Sequence, residues 1–309
     1  MAMGRAQGKS LKVYTVPCGQ GGMMRELVAL VLLAVLIFVS CGYTPPENLT
    51  KLVEMDGYTL YCPVWSPAGK IYFLATDRKL GSSSYFGGPL WVCDTSGENL
   101  RLLLDGLFGY LAISNDGSKL ALTCGYLFNE GIDEGGVLIV VDSCGNILDT
   151  IPTSEPRVVT ARFSYDGNKI YYCAFGGDSD GFYRANINGT NEEFLQGVGY
   201  SPFFDVTEGG RLIVDPIIGA TCDVSPVDSN LVIGAETYTW AMGPSLILHN
   251  LTTREDSIID VKPYKSTAAS FPYWSTDGYK IVFTAAPKGG FEGWPGYGCL
   301  WILDLTKEE

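Results

Sequence analysis

The sequence predicts an all-β fold, a single β-propeller of four-stranded antiparallel blades, and three observations predict it. The first is a recurring hairpin phrase, clearest in FPYWSTDGYKIVFTA from Phe271 to Ala285. Asp-Gly between two β-rich runs marks a tight turn, because Gly accepts the positive φ that the turn requires. The second is spacing: the key apolar residues of successive copies stand 48, 50, 61 and 50 residues apart. A period of about 40–50 residues with four short strands is the signature of propeller blades. The third is composition. A chain that is 46% hydrophobic, with 38 Gly, 18 Tyr and 14 Phe, suits many short strands joined by tight turns.

The first copy is CPVWSPAGKIYFLAT from Cys62, with Trp65 at the key apolar position. LAISNDGSKLALT from Leu111 follows with Ile113, then ARFSYDGNKIYYC from Ala161 with Phe163. The fourth, CDVSPVDSNLVIGA from Cys222, keeps Val224 but lacks the turn Gly; the fifth carries Trp274. Each hairpin leads to a third strand ending in Asp or Asn, at Asp94, Asp142, Asn186, Asn250 and Asp304. A fourth, edge-like strand comes next in several copies, as at Leu100 to Leu104 and Ser257 to Val261. The fifth copy has no such strand. Leu52 to Gly57, ahead of the first hairpin, resembles Leu102 to Gly106 ahead of the second. The N-terminal strand is therefore expected to complete the last blade and close the ring, removing an exposed sheet edge. Ser201 to Val214 also resembles an opening hairpin, but only 20 residues separate Phe204 from Val224, fewer than a blade needs. Five blades with one enlarged is the expectation, with six, one degenerate, as the alternative.

With those residues in view, W-S-x-D-G-x-K-I followed by L-W-x-x-D resembles the repeat of TolB-type propellers, which are related to WD-type propellers. The resemblance covers nearly everything after residue 48 and implies the fold. It does not imply a function, because such propellers serve scaffolding, ligand-binding and enzymatic proteins alike.

The expected organisation is a leader and signal peptide over 1–40, a tether over 41–48 and the propeller over 49–309. Leu27 to Ser40 is a run of 14 nearly all-apolar residues behind Arg25, followed by Cys41-Gly42 and then Pro45-Pro46. The run is shorter than the roughly 20 residues of a membrane span and has the length of a signal-peptide core. It resembles a bacterial lipoprotein signal, which implies cleavage before Cys41 and lipid attachment to its thiol. Phe38 departs from the Leu such signals usually carry, and an uncleaved membrane anchor is the alternative. The long leader is consistent with a start at Met23 or Met24. Gly42 is not the Asp that favours inner-membrane retention in Gram-negative lipoproteins, so the resemblance points to the outer membrane or a periplasm-facing location.

After residue 40 the chain carries 17 bases against 33 acids. A body that acidic is repelled by phosphate backbones and anionic headgroups, so nucleic-acid binding is not expected. Seven cysteines remain beyond Cys18 and Cys41, with no C-x-x-C pair. An odd set cannot pair completely, and most fall in predicted strands, where Cys behaves as a small hydrophobe; one or two bridges remain open in an exported protein.

Loops between first and second strands are uniformly tight, whereas those between second and third strands are long and Gly-rich. The long set gathers Tyr85, Phe86, Tyr126, Phe128, Tyr238, Trp240, Phe291, Trp294 and Tyr297 on one face, beside Glu130, Asp133 and Asp180. Long loops on a rigid scaffold carry function and aromatics anchor binding, so this face is the candidate site for an envelope protein or a glycan. Alternatively, the aromatics pack on one another and roof the ring. Asp178-Ser179-Asp180-Gly181 has a fragment of Ca²⁺-loop spacing without the closing Glu, and an acidic turn explains it as well. The single His, His249, falls at a mostly apolar strand position and reads as a packed residue. No nucleophile elbow or phosphate-binding loop is present, and no cofactor is expected. A binding or scaffolding module without catalysis is the first expectation. An extracellular polymer-degrading lyase or hydrolase using loop-face carboxylates is the second.

Overall fold

Apolar runs bounded by Gly-, Pro- and Asp-rich turns fold as antiparallel strands throughout the described residues, and no helix occurs among them. The computed structural model describes residues 45–77, 85–124, 126–127, 136–177, 179–198, 202–214, 222–238, 241–261, 263, 267–287 and 298–307. After β1 (Leu49–Val53), the strands β2 (Tyr58–Ser66), β3 (Lys70–Asp77), β5 (Gly88–Asp94) and the first half of β6 (Arg101–Ile113) make the first part of a continuous seven-stranded sheet, called the first sheet below, while β4 (Tyr85–Phe86) is a short strand in the loop between β3 and β5 and lies outside it. The second half of β6 carries that sheet on into its second part, called the second sheet, with β7 (Lys119–Cys124), β9 (Val137–Asp142) and β10 (Ile147–Pro152), while the short β8 (Tyr126–Leu127) pairs with β4 as a separate two-stranded sheet. β11 (Arg157–Phe163), β12 (Lys169–Phe175), β13 (Gly181–Asn186) and β14 (Glu193–Gly197) form the third. A small hairpin follows, β15 (Asp205–Val206) and β16 (Leu212–Ile213). The fourth sheet holds β17 (Cys222–Val224), β18 (Leu231–Tyr238), β19 (Ala241–Asn250) and β20 (Asp256–Asp260). The fifth holds β21 (Thr267–Trp274), β22 (Lys280–Pro287) and β23 (Cys299–Asp304), and β1 is its outer strand, with Leu49 opposite Leu303 and Lys51 opposite Trp301.

Apolar clusters fill the spaces between successive units. Val64, Tyr72 and Leu74 of the first sheet pack on Leu111, Ile113 and Leu122 of the second. Ala112, Ala121 and Val140 pack on Phe163, Ile170 and Tyr172 of the third. The hairpin has one interface on each side: Phe204 and Leu212 meet Tyr171 and Phe182, while Ile213 meets Cys222 and Val232. Ile233 and Leu246 of the fourth sheet meet Trp274 and Phe283 of the fifth. Trp65, Ile71 and Phe73 of the first sheet complete the cycle against Val282, Leu300 and Ile302 of the fifth. Sheets that pack in sequence order, the last against the first, make a β-propeller.

The repeated motif is explained by its turn chemistry. In the second sheet, Ser114 Oγ–H donates to Asp116 Oδ1 at 2.7 Å, Lys119 N–H donates back to Ser114 Oγ at 2.9 Å, and Ser118 N–H donates to Asp116 Oδ1 at 3.0 Å. Ser164–Asp166 and Ser275–Asp277 repeat the arrangement. The Ser114 hydroxyl, helped by Ser118, lowers the Asp116 pKa to about 2, and Ser164 with Asn168 does the same for Asp166. Gly117 has φ +71° and a Cβ there would lie 2.8 Å from Pro67 Cδ; Gly278 has φ +73°, with Val227 Cγ2 at 2.6 Å. These glycines both turn the chain and let neighbouring turns touch. The Lys of the motif and the Asp ending the third strand are cross-strand partners, Lys70 with Asp94 and Lys280 with Asp304, each an ion pair. Asp142 then caps the next turn by accepting from Cys144 N–H and Asn146 N–H.

The described cysteines are free thiols, five of them buried. Cys124 and Cys144 differ from the expected buried role and are exposed, because they sit at a strand end and in a turn. His249 is buried on β19, with Nδ1 2.6 Å from Asp256 Oδ1 of the neighbouring strand.

Candidate functional site

The long-loop face is partly visible. β4 and β8 lie in the long loops of the first and second sheets and pair with each other, setting Tyr85 opposite Leu127 and Phe86 opposite Tyr126. The structure therefore brings three of the predicted aromatics to one place in backbone register. Tyr238 stands apart from them at the end of β18, opposite Ala241. Phe128, Trp240, Phe291, Trp294, Tyr297, Asp178 and Cys41 lie outside the described residues, as do Glu130 and Asp133. Asp180 Oδ1 accepts a hydrogen bond from Gly176 N–H at 2.8 Å, the contact of an acidic turn. No group of three His, Cys, Asp or Glu side chains fit to hold a metal occurs among the described residues.

Just below that face, at the mouth of the third sheet, lies a buried carboxylate that sequence reasoning missed. Glu155 Oε1 accepts from Tyr183 O–H at 2.9 Å and from Ser179 N–H at 3.2 Å, while Oε2 has no hydrogen-bond partner among the described residues. Tyr183 stacks on Tyr172 with ring centroids 5.4 Å apart. Burial, reinforced by Glu155, pushes the Tyr183 phenol up to about 12. At neutral pH it is therefore protonated, with Ser179 O at 2.5 Å and Glu155 Oε1 at 2.9 Å sharing its one O–H.

The second feature the sequence reading did not single out is a polar cluster where the inner strands converge. Arg162 on β11 is buried. Its Nη1 donates to Tyr110 Oη of the second sheet at 2.6 Å, and Nη2 donates to Cys222 O of the fourth at 2.9 Å. Nε lies 3.3 Å from Asp205 Oδ1 of the hairpin, an ion pair with both side chains about one-tenth exposed. Asp205 also accepts from Val206 N–H at 2.7 Å and Val224 N–H at 2.6 Å. Asp223 Oδ2 accepts from Trp274 N–H at 2.7 Å, joining the fourth sheet to the fifth. The circuit continues through Leu60 N–H to Gly298 O at 3.2 Å and Tyr61 O–H to Phe108 O at 2.9 Å. Each interface of the cycle thus carries a polar link as well as an apolar one. A small cavity beside the cluster is lined by Cys62, Val64, Tyr110, Arg162, Phe271 and Tyr273.

One guanidinium here faces two carboxyl groups. Burial opposes the charge on Arg162, but Tyr110, Asp205 and Asp223 outweigh it and hold the group protonated beyond its usual range. Burial pushes Asp223 well above the ordinary carboxylate value, and the nearby charge of Asp205 adds to the effect. Burial also raises Asp205, where Arg162 and two backbone N–H groups offset part of it. The Tyr110 and Tyr273 phenols and the Cys62 thiol are raised by burial too. Cys62 is consequently a thiol rather than a thiolate, and the cluster offers no activated nucleophile.

No family model matches this chain. No curated protein matches it either. Among solved structures it is similar to TolB from Acinetobacter baumannii, at 14% identity and a TM-score of 0.39, over 79% of this chain and 54% of that one. The chain thus spans about half the length of that protein. It is also similar to an oligogalacturonate lyase in complex with manganese, at 14% identity and a TM-score of 0.47, over 83% of this chain and 79% of that one. A putative TolB from Agrobacterium tumefaciens shares 18% identity at a TM-score of 0.40, over 79% and 78% of the two chains. At these identities and scores the likenesses carry nothing about activity.

Proposed function

We propose that the protein is an exported, envelope-associated propeller that binds a protein segment or a glycan through its long-loop face and performs no catalysis. The observation that carries this reading is the β4–β8 pairing, which ties two long loops together and sets Phe86 opposite Tyr126. A two-stranded ribbon of aromatics above a rigid sheet assembly is preorganised, so little ordering entropy is lost when a ligand stacks on it. The apolar run ahead of Cys41 supports export with a lipid on that thiol. The two separate interfaces of the β15–β16 hairpin support counting it as a reduced sixth blade rather than an enlargement of the third.

Capture from detergent-solubilised envelope tests the binding role, comparing the full chain with a Tyr85→Ser, Phe86→Ser, Tyr126→Ser variant whose folding is checked by circular dichroism. A partner held by the first and lost by the second supports the reading. Equal capture by both sinks this face as the site. Turnover of an extracellular polymer by the full chain, lost in the same variant, would replace binding with the lyase or hydrolase reading. Cys41→Ser tests the anchor: the variant is expected to leave the detergent phase for the aqueous phase, and unchanged partitioning rejects lipid attachment there.

A further inference from the structure

Arg162, Asp205 and Asp223 come from the third sheet, the hairpin and the fourth sheet, and all three are buried. One positive and two negative charges cannot share a site of low dielectric as they stand, because an uncompensated buried charge costs several kcal/mol. Among the described residues, the titratable groups that face the trio are Tyr110, Tyr273, Cys62 and Cys222, from the second, fifth, first and fourth sheets. Burial holds Tyr110, Tyr273 and Cys62 neutral, and neither a phenol nor a thiol is positive in any state, so none of the four supplies the missing positive charge. The two carboxyls are unequal. Asp205 has the guanidinium at 3.3 Å and two backbone N–H donors, which suit a carboxylate. Among the described residues, Asp223 has one donor to its carboxyl, the Trp274 N–H.

We propose that the axis of this propeller is a proton-binding site, with Asp223 holding a proton at neutral pH so that the Arg162–Asp205 ion pair is left net-neutral at the convergence of the inner strands. The bound proton balances the trio and keeps the hairpin seated between the third and fourth sheets. Removing it puts a second negative charge beside Asp205, on the strand whose Val224 N–H the Asp205 carboxylate already holds.

The sign of the resulting pH dependence is fixed. A carboxyl whose folded pKa lies above its unfolded value of 3.8 contributes its full stability below that value and loses it as pH rises toward the folded value. The test is equilibrium unfolding of the full chain in detergent across neutral and alkaline pH, beside Asp223→Asn. The ratio of wild-type to variant unfolding constants is expected to rise about tenfold per pH unit as long as Asp223 is ionised in the unfolded chain and protonated in the folded one. A ratio that stays flat with pH, or a variant destabilised equally at every pH, overturns the proposal. Should Asp223→Asn not fold, infrared spectroscopy of the wild type decides instead. A protonated-carboxyl carbonyl band at pH 7 supports the assignment, and its absence refutes it. Stabilisation by added sodium or calcium ions without that band would give the spare charge to a metal ion and also refute it.

Discussion

At the scale of single residues, the repeat motif accounts for itself: its Ser, Asp, Gly and Lys are occupied by turn and cross-strand bonds. Gly117→Ala should cost about 2 kcal/mol, since it combines a strained positive φ with a contact on Pro67, and chemical denaturation measures it. Asp116 and Asp166, with pKa values near 2 against an ordinary 3.8, contribute stability that is complete above the ordinary value. That contribution is lost as pH falls toward 2, so Asp116→Asn should flatten acid unfolding over this window. Arg162→Met should cost about 3–5 kcal/mol, because it strands Asp205 beside Asp223; Arg162→Met with Asp205→Asn should recover part of the loss. Arg162 and Asp223 were within reach of the sequence. Laid in register, the copies place Val64, Ala112, Arg162, Asp223 and Tyr273 immediately before the key apolar residue. An Arg and an Asp in successive copies of an otherwise mostly apolar column indicate ionisable groups brought together at the inner strands. Asp205 was less legible, because its hairpin departs from the repeat.

At the scale of strands and loops, the paired chain ends were legible because the segment around Leu52 repeats the one around Leu102, and β1 lies along β23 accordingly. Thr50→Pro removes a ladder donor from β1 and leaves the β23 edge open. Amide exchange over residues 299–304 should accelerate while that over 169–175 holds; an unchanged pattern would mean that β1 contributes little to the fifth sheet. The β4–β8 ribbon was not legible as a pairing. Its strands are two residues each, and no two-residue period distinguishes them from the Gly-rich loop around them. Glu155 was missed for a related reason: it lies in an irregular stretch before β11, where only tertiary packing buries it. A Cβ on Gly177 would lie 2.0 Å from its Oε2, so Gly177→Val should displace the carboxyl group and release Tyr183. A fall in the pH at which the Tyr183 phenol ionises, followed by ultraviolet difference titration, would show that release.

For the molecule as a whole, stability is distributed around a cycle rather than concentrated in one core. Neighbouring sheets share apolar clusters, and the axial charges join the hairpin to its two flanking sheets. Unfolding should therefore be a single transition when followed by tryptophan fluorescence and by circular dichroism, with the hairpin melting along with the rest. Fold class was readable because it is written five times in the sequence, whereas the axis is built once, from positions that agree in no two copies. The pairing of Leu49 with Leu303 carries a different kind of consequence, one of time. The first strand of the propeller to be synthesised has its partner 254 positions later, and it stays without a ladder until nearly everything else has been made. Closing so long a loop adds little to the equilibrium cost, which grows only with the logarithm of length. It does place that closure late in the order of events. Until it happens, residues 49–53 and the β23 edge are open to proteases and to other chains, so ring closure is the event that ends the newborn protein's exposure.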